Sequence, residues 1–152
     1  MRFLLLLALA ALPASSRPAV AQITVTPVRD LAFGPVIVGV PTYIGPSHPV
    51  RSGQFRLATV APLRAHLRFT LPARLNGPGG ATLPINFNNN DALYVGTAPN
   101  SIPESFNPKA TKNIQVTANT TILVFIGGTV SPAGNQRHGN YAATITLTVT
   151  IL

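Results

Sequence analysis

The side chains that could do chemistry are few and far apart. The 152-residue chain carries 11 Lys+Arg, 3 Asp+Glu, 3 His and no Cys. Asp30, Asp91 and Glu104 lie in different stretches, so no two carboxylates share a spacing useful for general acid and base work. His48, His66 and His138 are equally scattered, and there is neither an H-E-x-x-H to hold zinc nor a G-x-S-x-G to present a serine. A triad gathered from distant residues is the one catalytic arrangement left open. The expectation is a protein that is not an enzyme and uses no cofactor. Asn88-Asn89-Asn90-Asp91 offers oxygens to calcium, but a single carboxylate brings little charge and the composition is that of a turn, so no metal is expected. Asn119-Thr120-Thr121 is a formal glycosylation sequon that a turn between strands explains equally well.

The most suggestive cluster is basic. Arg64, His66 and Arg68 share the outward parity of one alternating stretch, and Arg56 is outward on the stretch before it. If the two stretches pair as a hairpin about Ala61 to Leu63, Arg56 falls opposite Arg68, an unfavourable meeting of like charges that an anionic partner would relieve. In an immunoglobulin-like topology the two stretches belong to different sheets, which splits the patch. Arg56, Arg64, His66 and Arg68 are therefore candidate polyanion-binding residues, with an anionic glycan as the candidate partner and a merely solvated face as the plainer reading. The formal net charge is +8. Runs of Lys and Arg are missing, which argues against a dedicated nucleic-acid binder.

These residues need a scaffold, and the sequence describes an all-β one. Arg2, the apolar run Phe3 to Leu12, Pro13 and then Ala19-Val20-Ala21 before Gln22 form a secretory signal-peptide pattern with an A-x-A cleavage site. The run is too short to span a membrane. Residues 1–21 are therefore set apart as a signal peptide, residues 22–152 as a single domain, and the mature protein is expected to be secreted, periplasmic or at a cell surface rather than integral to a membrane. Setting aside Arg2 and Arg17 leaves nine basic residues against three acids, a balance of +6. With no cysteine the domain has no disulfide to help its core.

In that domain all but Pro13 and Pro18 of the chain's 15 Pro, all of its 12 Gly and repeated Asn clusters punctuate short apolar runs at sandwich spacing. Strands are expected at Ile23 to Val28, Leu31 to Val40 with a break at Gly34-Pro35, Gly53 to Val60, Ala65 to Leu71, Thr82 to Phe87, Leu93 to Val95, Asn113 to Ala118, Thr121 to Val130 and Tyr141 to Leu152. A turn is expected at Asn76 to Gly80. The last stretch is the clearest: Tyr141, Ala143, Ile145, Leu147, Val149 and Ile151 form one parity and Thr144, Thr146, Thr148 and Thr150 the other, with no charge and no proline. Such a strand is an aggregation hazard unless both its edges are paired. The chain is thus expected either to close this strand inside an antiparallel β-sandwich of about seven to nine strands or to assemble by edge pairing or strand exchange with other copies.

Leu31-Ala32-Phe33-Gly34, Phe125-Ile126-Gly127-Gly128-Thr129-Val130 and Gly139-Asn140-Tyr141 leading into the last strand resemble an uncharacterised family of secreted bacterial proteins, domain of unknown function forty-four-zero-two. More distantly the pattern is similar to spore coat protein U and the Csu-type pilins, which share an L-x-F-G near the start and a G-x-Y opening the final strand. The resemblance implies an immunoglobulin-like sandwich at a cell surface, with no active site to carry over. The chain departs from the pilins in lacking cysteines and in having only the nine residues Gln22 to Asp30 ahead of Leu31. The motif residues Phe33, Gly34, Gly127, Gly128, Gly139 and Tyr141 are read as structural: positive φ or close packing at the glycines, and a corner anchored by the tyrosine hydroxyl.

Overall fold

The computed structural model describes residues 22–96 and 100–152, so the signal-peptide pattern lies outside the described residues. It is an all-β sandwich of three antiparallel sheets. In chain order the strands are β1 (Ile23–Arg29), β2 (Thr42–Ile44), β3 (Gly53–Thr59), β4 (Leu63–Thr70), β5 (Arg74–Asn76), β6 (Thr82–Asn86), β7 (Ala92–Gly96), β8 (Glu104–Phe106), β9 (Lys112–Val116), β10 (Thr120–Ile126), β11 (Gly128–Val130) and β12 (Thr146–Ile151). One sheet has the order β1-β3-β10-β7-β8, a second β2-β11-β6-β5 and a third β12-β4-β9. Twelve strands exceed the seven to nine expected, because β2, β5, β8 and β11 are only three residues long. Among the described residues no helix is long and apolar enough to cross a membrane.

Alternation sets which side of each strand is buried. In β4, Leu63, Ala65, Leu67 and Phe69 are buried while Arg64, Arg68 and Thr70 are exposed. In β3, Leu57 and Thr59 are buried and Arg56 is exposed. The first and third sheets meet through aromatic side chains: Phe55 packs edge-on to Phe69 at 6.0 Å between centroids, and Phe69 stacks on Phe106 at 6.3 Å. Leu57, Leu67, Val124, Ile126 and Val130 are almost wholly buried in the single core cluster. Each such side chain contributes about 1.5–3 kcal/mol through removal from water.

β10 lies between β3 and β7, and its sequence TTILVFI is apolar on both parities, as suits the centre of a sheet. The sequence suggested one strand through Val130. Instead the chain leaves the first sheet at Gly127 and enters the second as β11. A Cβ on Gly127 would stand 2.7 Å from the backbone nitrogen of Pro46, so only glycine fits the crossing. Its amide donates to the Asp91 carbonyl at 2.7 Å.

Two expected strands are altered. Leu31 to Val40 forms no strand. Leu31, Phe33 and Val36 pack against the core from an irregular segment, held by Ala32 N–H donating to the Arg51 carbonyl (2.9 Å) and Gly39 N–H to the Pro132 carbonyl (3.2 Å). The stretch expected as one strand from Tyr141 ladders only over Thr146–Ile151; before it, residues 141–145 make a single bridge, Asn76 to Ala142.

Candidate functional site

Among the described residues β12 is an edge strand, paired to β4 on one side only. Leu152 N–H donates to the Arg64 carbonyl at 2.9 Å, continuing the register that sets Ile151 opposite Ala65. Backbone groups in an antiparallel ladder alternate sides, so the even-numbered residues of β12 bond to β4. The N–H and C=O groups of Leu147, Val149 and Ile151 therefore point out along the open edge. No charge, proline or bulge in β12 blunts it. β1 is the edge strand of the first sheet and touches β12. Its own edge is interrupted: Pro27 removes a donor, and the register with β3 shifts between Pro27 and Arg29.

Beside these two edges lies a cleft of about 620 Å³, lined by Leu31, Phe33, Phe55, Ile126 and Ile145 among others. The Gly139 to Ile145 segment forms one wall. Residues with a strand's alternation but almost no ladder thus border an opening toward the core that Arg29, Asp30 and Asn140 line together with the apolar side chains.

The basic candidates are divided between sheets. Arg56 lies on β3 in the first sheet, opposite Thr26 and Leu123; Arg64, His66 and Arg68 lie on β4, the central strand of the third. The hairpin pairing of Arg56 with Arg68 does not form, because β3 and β4 leave their short connection into different sheets. The His66 Nδ1 hydrogen-bonds with the Asn113 side-chain amide, which ties β4 to β9 across the outer face.

Of the motif residues, Phe33, Gly34, Gly139 and Tyr141 line the cleft, whereas Gly127 and Gly128 pack elsewhere. Gly34 has φ +70°, and the Arg51 guanidinium lies 3.2 Å from where a Cβ would be; Arg51 Nη1 donates to the Phe33 carbonyl at 3.1 Å. Phe33 itself lines the cleft. Gly128 packs against the Phe87 ring, where a Cβ would meet it at 3.1 Å. Gly139 has φ +144° and lies against Pro78. The Tyr141 hydroxyl donates to the Arg137 carbonyl and accepts from Gln136 Nε2, both at 2.7 Å. These contacts fix the wall of the cleft.

No histidine is gathered with acids: His48 Nδ1 caps its own turn by accepting from Arg51 N–H at 3.0 Å, and His138 is in an exposed loop. Among the described residues no group of three or more His, Cys, Asp or Glu side chains converges. The Asp91 carboxylate is 2% exposed and accepts from Asn88 N–H at 2.6 Å, so it staples the Asn-rich turn from inside. Burial and then the Asp91 carboxylate raise the Tyr43 hydroxyl pKa. Asn119 takes φ +55° in the turn before β10, and Thr120 Oγ1 donates to the Thr117 carbonyl at 2.6 Å.

One polar set escaped sequence reasoning. Tyr94 donates to Glu104 Oε2 at 2.5 Å, Lys112 pairs with Glu104 Oε1, and the Lys112 Nζ lies 5.5 Å from the Tyr94 ring centroid. Burial first, and then the Glu104 hydrogen bond, push the Tyr94 hydroxyl up to about 12. Hydrogen bonds from Lys112 and then Tyr94 lower the Glu104 carboxyl. The three come from β7, β8 and β9, and only the fold brings them together.

Neither protein-family models nor curated protein sequences give a match to this chain.

Proposed function

We propose that this is a non-enzymatic structural or cell-surface protein, exported by its signal peptide, that assembles with a second copy through the open edge of β12. The observation that supports this reading is the uncharged, unblunted edge of TLTVTI. Strand exchange is the weaker form of assembly here, because β1, the segment that would serve as a donor arm, is already laddered to β3 of its own chain. Pairing of β12 with β12 of another copy about a two-fold axis needs no exchange. It joins two three-stranded sheets into one of six and satisfies the outward groups of Leu147, Val149 and Ile151 on both copies. The resemblance to secreted surface proteins agrees with this role.

Light scattering of the mature protein over a concentration series, at about 0.1 and 1 M salt, tests it. Backbone pairing and apolar burial are little screened, so dimers are expected at both salt levels. A strict monomer at high concentration in either buffer would sink the proposal.

A further inference from the structure

The outer face of the third sheet is a second surface, independent of the β12 edge. Down its middle run Arg64, His66 and Arg68 of β4, with Arg64 and Arg68 exposed. The registers place Thr148 beside Arg68 and Thr150 beside His66 on one flank. On the other flank Gln115 lies beside Arg64 and Asn113 beside His66. Thr148, Thr150, Asn113 and Gln115 are all exposed. Alternate residues on a strand are about 6.7 Å apart and strands about 4.8 Å apart. The face is therefore a flat strip about 10 Å wide, with guanidinium groups rooted about 13 Å apart between rows of neutral hydroxyl and amide groups.

The charges on this strip have no internal use. Arg29 and Arg51 spend their guanidinium groups on the Ser52, Pro49 and Phe33 carbonyls. Among the described residues neither the Arg64 nor the Arg68 guanidinium has a hydrogen bond or ion pair; the ladder uses only their backbone groups. None of the three acids is on this face: Asp91 is buried, Glu104 is on β8 paired to Lys112, and Asp30 follows β1. The two arginines lie four residues apart on the central strand, so their mutual repulsion stands unrelieved.

We infer that this strip binds an extended anionic polysaccharide, with Arg64 and Arg68 on its sulfate or carboxylate groups and the Thr, Asn and Gln rows on its hydroxyls. A guanidinium fork matches either oxyanion in bidentate fashion. The outward positions of β4, β9 and β12 hold no Phe, Tyr or Trp, and the single imidazole of His66 is no row of rings on which successive nucleic-acid bases could stack. They also offer no apolar wedge for a lipid surface. Arg56, on another sheet, has no part in the strip.

Binding to immobilised dextran sulfate, with neutral dextran as blank, tests this in the mature protein. The double variant Arg64→Gln/Arg68→Gln is expected to lose affinity about tenfold or more, since each charged hydrogen bond removed is a substantial fraction of that. Arg56→Gln/Arg74→Gln removes the same charge elsewhere and is expected to stay within about twofold, the effect of long-range charge alone. Arg64→Lys/Arg68→Lys keeps the charge and the exposed positions but loses the fork, and is expected to fall between wild type and the Gln pair. Equal losses in the two Gln pairs would overturn the site in favour of net charge. Tighter binding of oligothymidylate or phosphatidylglycerol vesicles than of dextran sulfate, lost in the Arg64 and Arg68 variants, would overturn the polysaccharide.

Discussion

Val149 stands directly opposite Leu67 in the register of β12 and β4, yet the two exchange no backbone hydrogen bond. Theirs is the non-hydrogen-bonded kind of pair, in which the two residues stand closer together, and the Val149 amide faces the open edge. A proline is tolerated at such a position and removes a donor only from the outer side. Val149→Pro is expected to lower the dimer fraction in light scattering while keeping the strand spectrum in far-UV circular dichroism. A dimer undiminished by Val149→Pro would place the contact elsewhere.

Leu147 is 8% exposed and belongs to the core, whereas Thr148 beside it is exposed. Leu147→Ala is expected to cost about 2–5 kcal/mol in denaturant melts. Thr148→Ala is expected to change stability by no more than about 0.5 kcal/mol. Equal costs would mean that both faces of β12 are covered.

Gly127 and Gly134 make a contrasting pair. A Cβ at Gly127 meets the backbone of Ile44, Gly45 and Pro46, while one at Gly134 meets nothing within 4 Å. Backbone cannot swing aside as a side chain can, so Gly127→Ala is expected to cost about 3 kcal/mol or more. Gly134→Ala is expected to be neutral or slightly stabilising. Thermal melts of the two variants read the difference.

The Tyr94–Glu104–Lys112 set makes stability depend on pH at both extremes. Tyr94 is raised from 10.0 to about 12, so the folded state holds this proton more tightly than the unfolded chain does. Its contribution is complete below about pH 10 and is lost as pH rises from there through 12. Glu104 is lowered from 4.5, so its contribution is present above that value and is lost as pH falls through the folded pKa. Carbon NMR of the tyrosine Cζ resonances should show Tyr94 titrating near 12. Glu104→Gln should bring it part of the way back toward 10, the burial contribution remaining. An unchanged midpoint in that variant would remove Glu104 as a cause.

Export is checked at the amino terminus. Mass spectrometry of secreted material is expected to find Gln22 as its first residue, cut after Ala19-Val20-Ala21. Mature exported protein that still carries Met1 would refute the cleavage site.

Strands with a long strict alternation were legible in the sequence: β1, β3, β4 and β6 begin and end close to where the pattern does. β2, β5 and β8 were not, since three residues carry no period. Leu31 to Val40 misled for a physical reason, because Leu31, Phe33 and Val36 are apolar in order to plug the sandwich, and Gly34 and Gly39 turn the chain with φ of +70° and +75°. Tyr141 misled likewise: its alternation with Ala143 and Ile145 serves a loop anchored by its own hydroxyl. For the basic residues, outward parity was readable at each one. Whether Arg56 joins Arg68 depends on the sheet each strand enters, and that is decided by packing of residues far away in sequence.

The crossing at Gly127 binds the fate of two sheets together. Because β10 is the middle of one sheet and β11 lies inside another, a single stretch of chain is hemmed into both, and neither can open while the other stays closed. Fraying is expected of the edge strands β1, β8, β2, β5, β12 and β9, whereas the amides of Val124, Ile126 and Val130 are expected to meet solvent only in whole-molecule unfolding. In deuterated water those amides should exchange last and with one common protection free energy, which makes this stretch the stitch by which the domain fails all at once.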